Sequence, residues 1–169
     1  TNTATVGLLS NDTDADGYAL VVTKVTNGTS TSTVPSSGST VISGTYGTLT
    51  IYSNGTYSYS ADKDAADVLA VNQSATDSFT YTVSDGYGGT ATATLAIEVK
   101  GSNDAPIANA DTVSIYADHA ATINLLANDS DAEHDSLTIT NVTGVSANGS
   151  VVINNDGTIT YTAKDSTKS

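Results

Sequence analysis

The sequence predicts an all-β chain built as two tandem antiparallel β-sandwich modules, the second incomplete. Three observations carry this. Thr, Ser, Val, Ala, Gly and Tyr dominate, and polar and apolar residues alternate in short runs, the pattern of half-buried strands rather than helices. Turn pairs such as Asn27-Gly28, Asn54-Gly55 and Asp156-Gly157 separate those runs. The chain also repeats itself. Leu9-Ser10-Asn11-Asp12-Thr13-Asp14-Ala15 returns as Leu126-Ala127-Asn128-Asp129-Ser130-Asp131-Ala132, and Gly55-Thr56-Tyr57-Ser58-Tyr59 as Gly157-Thr158-Ile159-Thr160-Tyr161. The first pair is offset by 117 residues and the second by 102, so the first module carries an insertion around residues 29–44. Modules of about 100 residues, all strands and turns, point to sandwiches in series.

Taken in order, residues 3–9 read as a short strand, followed by an acidic loop and a buried strand at 19–26. Residues 29–38, rich in Ser and Thr with Pro35 and Gly38, read as a loop or edge excursion, and 40–43 as a short strand. The clearest hairpin joins 46–52 to 56–60 through Asn54-Gly55, with Leu49, Ile51, Tyr57 and Tyr59 on the core face. Residues 62–70 form the one helical stretch, with Val68, Leu69 and Val71 capping the sandwich end. Strands at 78–83 and 90–100 point Phe79, Tyr81, Val83, Ala91, Ala93, Leu95, Ile97 and Val99 inward. The first module thus spans 1–102. A linker at 103–106 ends in Pro106, and the second, partial module spans 107–169, with strands at 111–116, 122–126, 137–142, 150–153 and 158–162. By this ruler each module lacks strands that the other shows. The chain is expected to be a fragment of a longer array, or else a subunit completed by strands from identical neighbours.

The candidate site is a pair of acidic loops. In Asn11-Asp12-Thr13-Asp14-Ala15-Asp16-Gly17 three carboxylates occupy alternate positions and a glycine closes the run. Hard cations such as Ca²⁺ take six to eight oxygen ligands, and alternate residues of an irregular loop can turn their oxygens to one centre. A plain polar turn accounts for the residue types but not for the alternation. The second loop carries Asp129, Asp131, Glu133 and Asp135, with Glu133-His134 in place of Asp-Gly, and is therefore expected to be the weaker site or to use Asp135 instead. The first loop is not an EF-hand: counting from Asp12, the twelfth position is Thr23, where a bidentate Glu is required. If the first module holds seven alternating strands, its acidic loop, the 62–67 turn and the linker share one end. Asn103 and Asp104 would then join Asp12, Asp14 or Asp16 on one cation; the alternative for that pair is a solvated Asx turn before Pro106.

Composition narrows the function. Eighteen acids face five lysines, there is no arginine, and the net charge is −13. Such a surface repels nucleic acid and anionic membranes, and it repels itself unless cations bind. Cysteine is absent, so no disulfide holds the fold. No apolar run reaches the ~18 residues of a membrane span, and no signal peptide opens the chain. His119 and His134 lie in polar turns without a nucleophile motif. The Asp pairs lack the cleft and fixed separation of glycosidase carboxylates, and the 86–89 glycines make a hairpin turn rather than a phosphate cradle. The reading is therefore non-enzymatic.

The chain resembles the VCBS and cadherin-like tandem repeats of large bacterial surface adhesins of the RTX type. The resemblance rests on Leu8-Leu9-Ser10-Asn11-Asp12-Thr13-Asp14-Ala15-Asp16-Gly17, on Tyr46-Gly47-Thr48-Leu49-Thr50-Ile51 with its hairpin partner, on Asp77-Ser78-Phe79-Thr80-Tyr81-Thr82-Val83-Ser84-Asp85-Gly86, and on Asn103-Asp104-Ala105-Pro106. It implies an Ig/cadherin-like fold and a Ca²⁺-stiffened extracellular module used in adhesion and biofilm formation at the bacterial cell surface. Its partners would be neighbouring modules or identical subunits. Tyr18 stands where the family often has another Asp. A carbohydrate-binding module, with Tyr18, Tyr52 or Tyr87 stacking on sugar, and an accessory domain of a secreted hydrolase are the competing readings.

Overall fold

Strand alternation sorts the first 103 residues into two facing sheets. The structure is a computed structural model that describes residues 2–3, 7–145 and 147–164. The chain divides into two compact units, Thr1–Asn103 and Asp104–Ser169.

In the first unit one sheet has the order β1-β6-β5-β4, from β1 (Asn2–Thr3), β4 (Ser39–Ser43), β5 (Thr48–Tyr52) and β6 (Tyr57–Ser60). The other has the order β3-β2-β7-β8, from β2 (Val21–Thr26), β3 (Thr31–Thr33), β7 (Ser74–Ser84) and β8 (Thr90–Lys100). Every pairing is antiparallel. Between the sheets lie Val22, Val25, Ile42, Leu49, Ile51, Tyr59, Phe79 and Tyr81. Leu49 and Ile51 are wholly buried, as their alternation with Thr48 and Thr50 requires. The β5–β6 turn is a three-residue loop with Gly55 at φ +80° and its N–H on the Tyr52 carbonyl. That is a type I turn closed by a left-handed glycine.

Several expectations need correction. The strand expected at 3–9 does not reach Leu9: residues 8–11 form a 3-10 turn, Leu8–Asn11, that drives Leu8 into the core, while residues 4–6 lie outside the described residues. The 62–70 stretch is a single helical turn, Asp64–Asp67. Only Leu69 of the three expected capping residues packs on the core; Val68 and Val71 are exposed. Residues 29–38 contain β3, which pairs with β2.

That uncounted strand reverses the parity of everything after it. Val21 of β2 pairs with Ser84, so the acidic loop before β2 lies at the β7–β8 turn. Lys100 pairs with Ser74 at the opposite end. The eleven residues of β8, at about 3.4 Å each, separate these ends by roughly 35 Å. The helical turn does lie at the exit, because the Gly101 N–H bonds the Gln73 carbonyl and a Cβ there would strike Leu69 and Ala70. Asn103 therefore cannot share a cation with Asp12, Asp14 or Asp16 of its own unit.

In the second unit β9 (Ala120–Ile123), β10 (Gly149–Ile153) and β11 (Ile159–Ala163) form one antiparallel sheet of order β10-β11-β9. By the internal offsets these match β1, β5 and β6. The β10–β11 turn repeats the β5–β6 turn, with Asn154 N–H on Thr158 and Gly157 at φ +84°. Residues 111–116 and 137–142, expected as strands, form no ladder among the described residues. Residues 137–140 keep the alternating burial of a strand, but the ladder that β2 finds in β7 has no counterpart among the described residues of the second unit.

Candidate metal centre

Both acidic loops are built on one local device. After the 3-10 turn, the Asp12 N–H bonds the Leu9 carbonyl. Asp14 then folds the chain around its own carboxylate: Oδ1 accepts the N–H of Asp16 at 2.9 Å and of Tyr18 at 3.1 Å. Gly17, at φ +78°, turns the backbone between them. In the second loop Asp131 Oδ1 accepts the N–H of Glu133 and of Asp135, both at 3.1 Å. His134 holds the position of Gly17, at φ +62°. The substitution that separates the two sequences has not changed the backbone path.

The surroundings differ. The half-buried carboxylate of Asp12 accepts the Tyr81 hydroxyl at 3.2 Å. Burial, and then the charge of Asp12, raise the pKa of that phenol above its ordinary value. Across from the loop, Asp85 Oδ1 accepts the N–H of Tyr87 at 2.7 Å and of Gly89 at 2.9 Å. Tyr18 stacks on Tyr87, with ring centroids 4.2 Å apart, and ties the loop to the β7–β8 turn. A cleft of about 410 Å³ lies here, lined by Asp12, Asp14, Asp85, Leu20, Ala91 and Ala93 among others.

In the second loop Asp129 Oδ1 accepts the Asn109 N–H at 2.8 Å, and the Asn109 side chain donates to the Asn128 carbonyl at 2.6 Å. Glu133 Oε1 accepts the Asp104 N–H at 3.0 Å. Its Oε2 is buried without a hydrogen-bond partner. An unpaired buried carboxylate oxygen is costly, and a cation removes that cost. The donor chemistry of this loop therefore fits a hard cation. The first loop fits less well, since among the described residues it holds no buried carboxylate oxygen left without a donor. Among the described residues no three His, Cys, Asp or Glu side chains gather as a metal-holding group in either loop. Asp16 is exposed.

Sequence reasoning passed over Asp77 and Asp85. Asp77, at 3 % exposure, is the buried acid of the first unit. Its carboxylate accepts the N–H groups of Thr45 at 2.8 Å and Tyr46 at 3.1 Å, and the hydroxyl of Tyr59. The signal was available, because Asp77 falls in phase with Phe79, Tyr81 and Val83 on the inward face of β7. Of the two histidines, His119 bonds the Ala117 carbonyl through Nδ1 at 2.9 Å and is exposed.

The sheets, the hairpins and the Asp-rich entry loop of the first unit coincide with a family match: residues 1–101 fit the bacterial cadherin-like domain. The chain belongs to the bacterial cadherin-like domain family. Residues 103–168 of this cadherin-like chain are in turn similar to the bacterial Ig domain. No curated protein matches it. Cadherin-like and bacterial Ig domains are typically non-enzymatic modules of surface proteins, and cadherin-like domains generally bind calcium. Among the described residues of this one, no helix is long and apolar enough to cross a membrane.

Proposed function

We propose that the chain is a calcium-stabilised, non-catalytic adhesion or structural module of a bacterial surface protein, working outside the cell. The observation that carries the calcium part is the buried Glu133 Oε2 without a donor, in a loop that also holds Asp129, Asp131 and Asp135. These four residues, with Asp104, would hold the ion; Asp12, Asp14 and Asp16 form the weaker site. Bound calcium supplies positive charge against a net charge of −13. Asp14 and Asp131 hold each loop in register through their paired N–H bonds, so a cation has only the carboxylate side chains left to gather.

A second reading concerns assembly. Residues 137–140 alternate in burial yet form no ladder among the described residues, which favours completion by a strand from a neighbouring module or an identical subunit.

The test is a thermal melt of the chain in calcium and in chelator. Binding to the folded state alone stabilises by about 2.7 kcal/mol at a hundredfold excess over Kd. The proposal expects a higher Tm in calcium, and equal melting curves would overturn it.

A further inference from the structure

Among the described residues the longest sheet edge in the first unit is open. β8 is the outermost strand of β3-β2-β7-β8, and among the described residues nothing pairs with its outer side. The other edge strands, β1, β3 and β4, have two, three and five residues; β8 has eleven, all in continuous register with β7. Alternate N–H and C=O groups on that side face away from β7 and template another strand. Sheet edges are commonly blunted by charge, proline or a bulge. β8 carries charge only near its end, at Glu98 and Lys100, which pair with each other at 3.8 Å. Its first half has none of these devices, and Thr90, Ala91 and Thr92 are exposed.

That undefended half borders the cleft described above. Ala91 and Ala93 are small, so the sandwich opens there, with Leu20 and Val83 continuing the apolar floor. The walls are acidic. Asp14 and Asp85 each use Oδ1 for two backbone donors, leaving Oδ2 for another. Among the described residues none of Asp12, Asp14 and Asp85 has a cationic side chain in salt-bridge range. Beside the cleft, Tyr18 and Tyr87 expose 42 % and 76 % of their surface, and aromatic faces attract cations.

We propose that residues 90–93 of β8 and this cleft form a docking groove for an extended segment of another protein bearing lysine or arginine at alternate positions. The segment pairs its backbone with β8. Every second side chain then enters the cleft, its aliphatic stem on Ala91, Ala93 and Leu20 and its charged head at the carboxylates. Charge selects this partner over a second copy of the chain, which carries eighteen acids and five lysines. The proposal rests on the adhesion reading and gives the partner a chemistry; because the cleft shares Asp12 and Asp14 with the weaker cation site, it is tested with calcium removed.

The experiment titrates the full chain, in chelator, with a capped peptide alternating lysine and threonine, following backbone amide signals. Expected are shifts centred on residues 90–93, and affinity weaker by about tenfold or more both for the glutamate counterpart and for the lysine peptide N-methylated at alternate residues. The exposed-edge variant Thr92→Lys should bind about tenfold more weakly while melting like the parent. Equal binding of the N-methylated peptide would reduce the interaction to charge attraction and overturn the groove. So would shifts centred elsewhere, or no binding at millimolar peptide. Failure of the calcium melt would leave this result untouched.

Discussion

The Tyr59 hydroxyl donates a 2.6 Å hydrogen bond to Asp77 Oδ2, joining β6 of one sheet to β7 of the other through the core. The same carboxylate accepts the Thr45 and Tyr46 N–H groups, so it also fixes the turn between β4 and β5. Gly44 admits it, since a Cβ there would collide with the carboxylate. Three donors meet one buried carboxylate.

Removing a donor should therefore cost more than an average hydrogen bond. Tyr59→Phe is expected to destabilise the first unit by about 1–3 kcal/mol, the range for stranding a buried polar group. Asp77→Ala strands three donors and should cost more. Gly44→Ala should fall with them. Urea unfolding at neutral pH checks all three, and a loss below about 0.5 kcal/mol for Tyr59→Phe would show that Asp77 is held without it.

The same two residues predict an alkaline limit. Burial first, and then the hydrogen bond and charge of Asp77, raise the Tyr59 pKa well above its ordinary value. Burial and then Asp12 raise that of Tyr81. Between the unfolded and folded values the native state binds more protons than the unfolded one, so stability falls as pH rises. The stabilisation is complete below the ordinary tyrosine value of about 10 and is lost above it. Urea midpoints measured from pH 8 upward should drop beyond pH 10, and less steeply in Tyr59→Phe relative to its own neutral midpoint.

What the sequence revealed follows the range of the interactions. The β5–β6 and β10–β11 hairpins were legible because alternation and an Asx-Gly turn act within a few residues. The inward face of β7 was legible for Phe79, Tyr81 and Val83. The same period also placed Asp77 inside, but an acid in that phase reads as surface unless its donors are known, and these come from residues 18, 31 and 32 positions away. β3 was missed because Thr31-Ser32-Thr33 has no apolar member; its ladder to β2, not burial, makes it a strand. That single omission turned the first acidic loop to the wrong end. Residues 137–142 failed in the opposite sense, with a strand's pattern and no ladder partner among the described residues.

The left-handed position shared by Gly17 and His134 gives a local test. A residue with a side chain is strained there by about 1 kcal/mol relative to glycine. Gly17→Ala should lower the stability of the first unit by about that amount, since nothing in the surroundings blocks the new Cβ and only φ opposes it. His134→Gly should be neutral or stabilise the second unit by up to about 1 kcal/mol. Amide exchange read separately over the two units distinguishes the effects, and a stable Gly17→Ala would mean the loop has a second backbone path.

Glu133 offers a prediction whose sign depends on the solvent. In chelator its Oε2 is a buried charged oxygen without a donor, and replacing the carboxylate by an amide removes that charge while Oε1 can still accept the Asp104 N–H. Glu133→Gln should then melt at or above the parent temperature, because burying an unpaired charge costs more than burying an amide. In calcium the order should invert: the parent gains from the ion and the variant, short of one anionic ligand, gains less. The paired melts separate two roles for this residue. A carboxylate kept only for its bond to Asp104 would give the same order in both solvents, with the parent ahead, whereas crossing curves would mark Glu133 as the ligand that couples the second acidic loop to a cation.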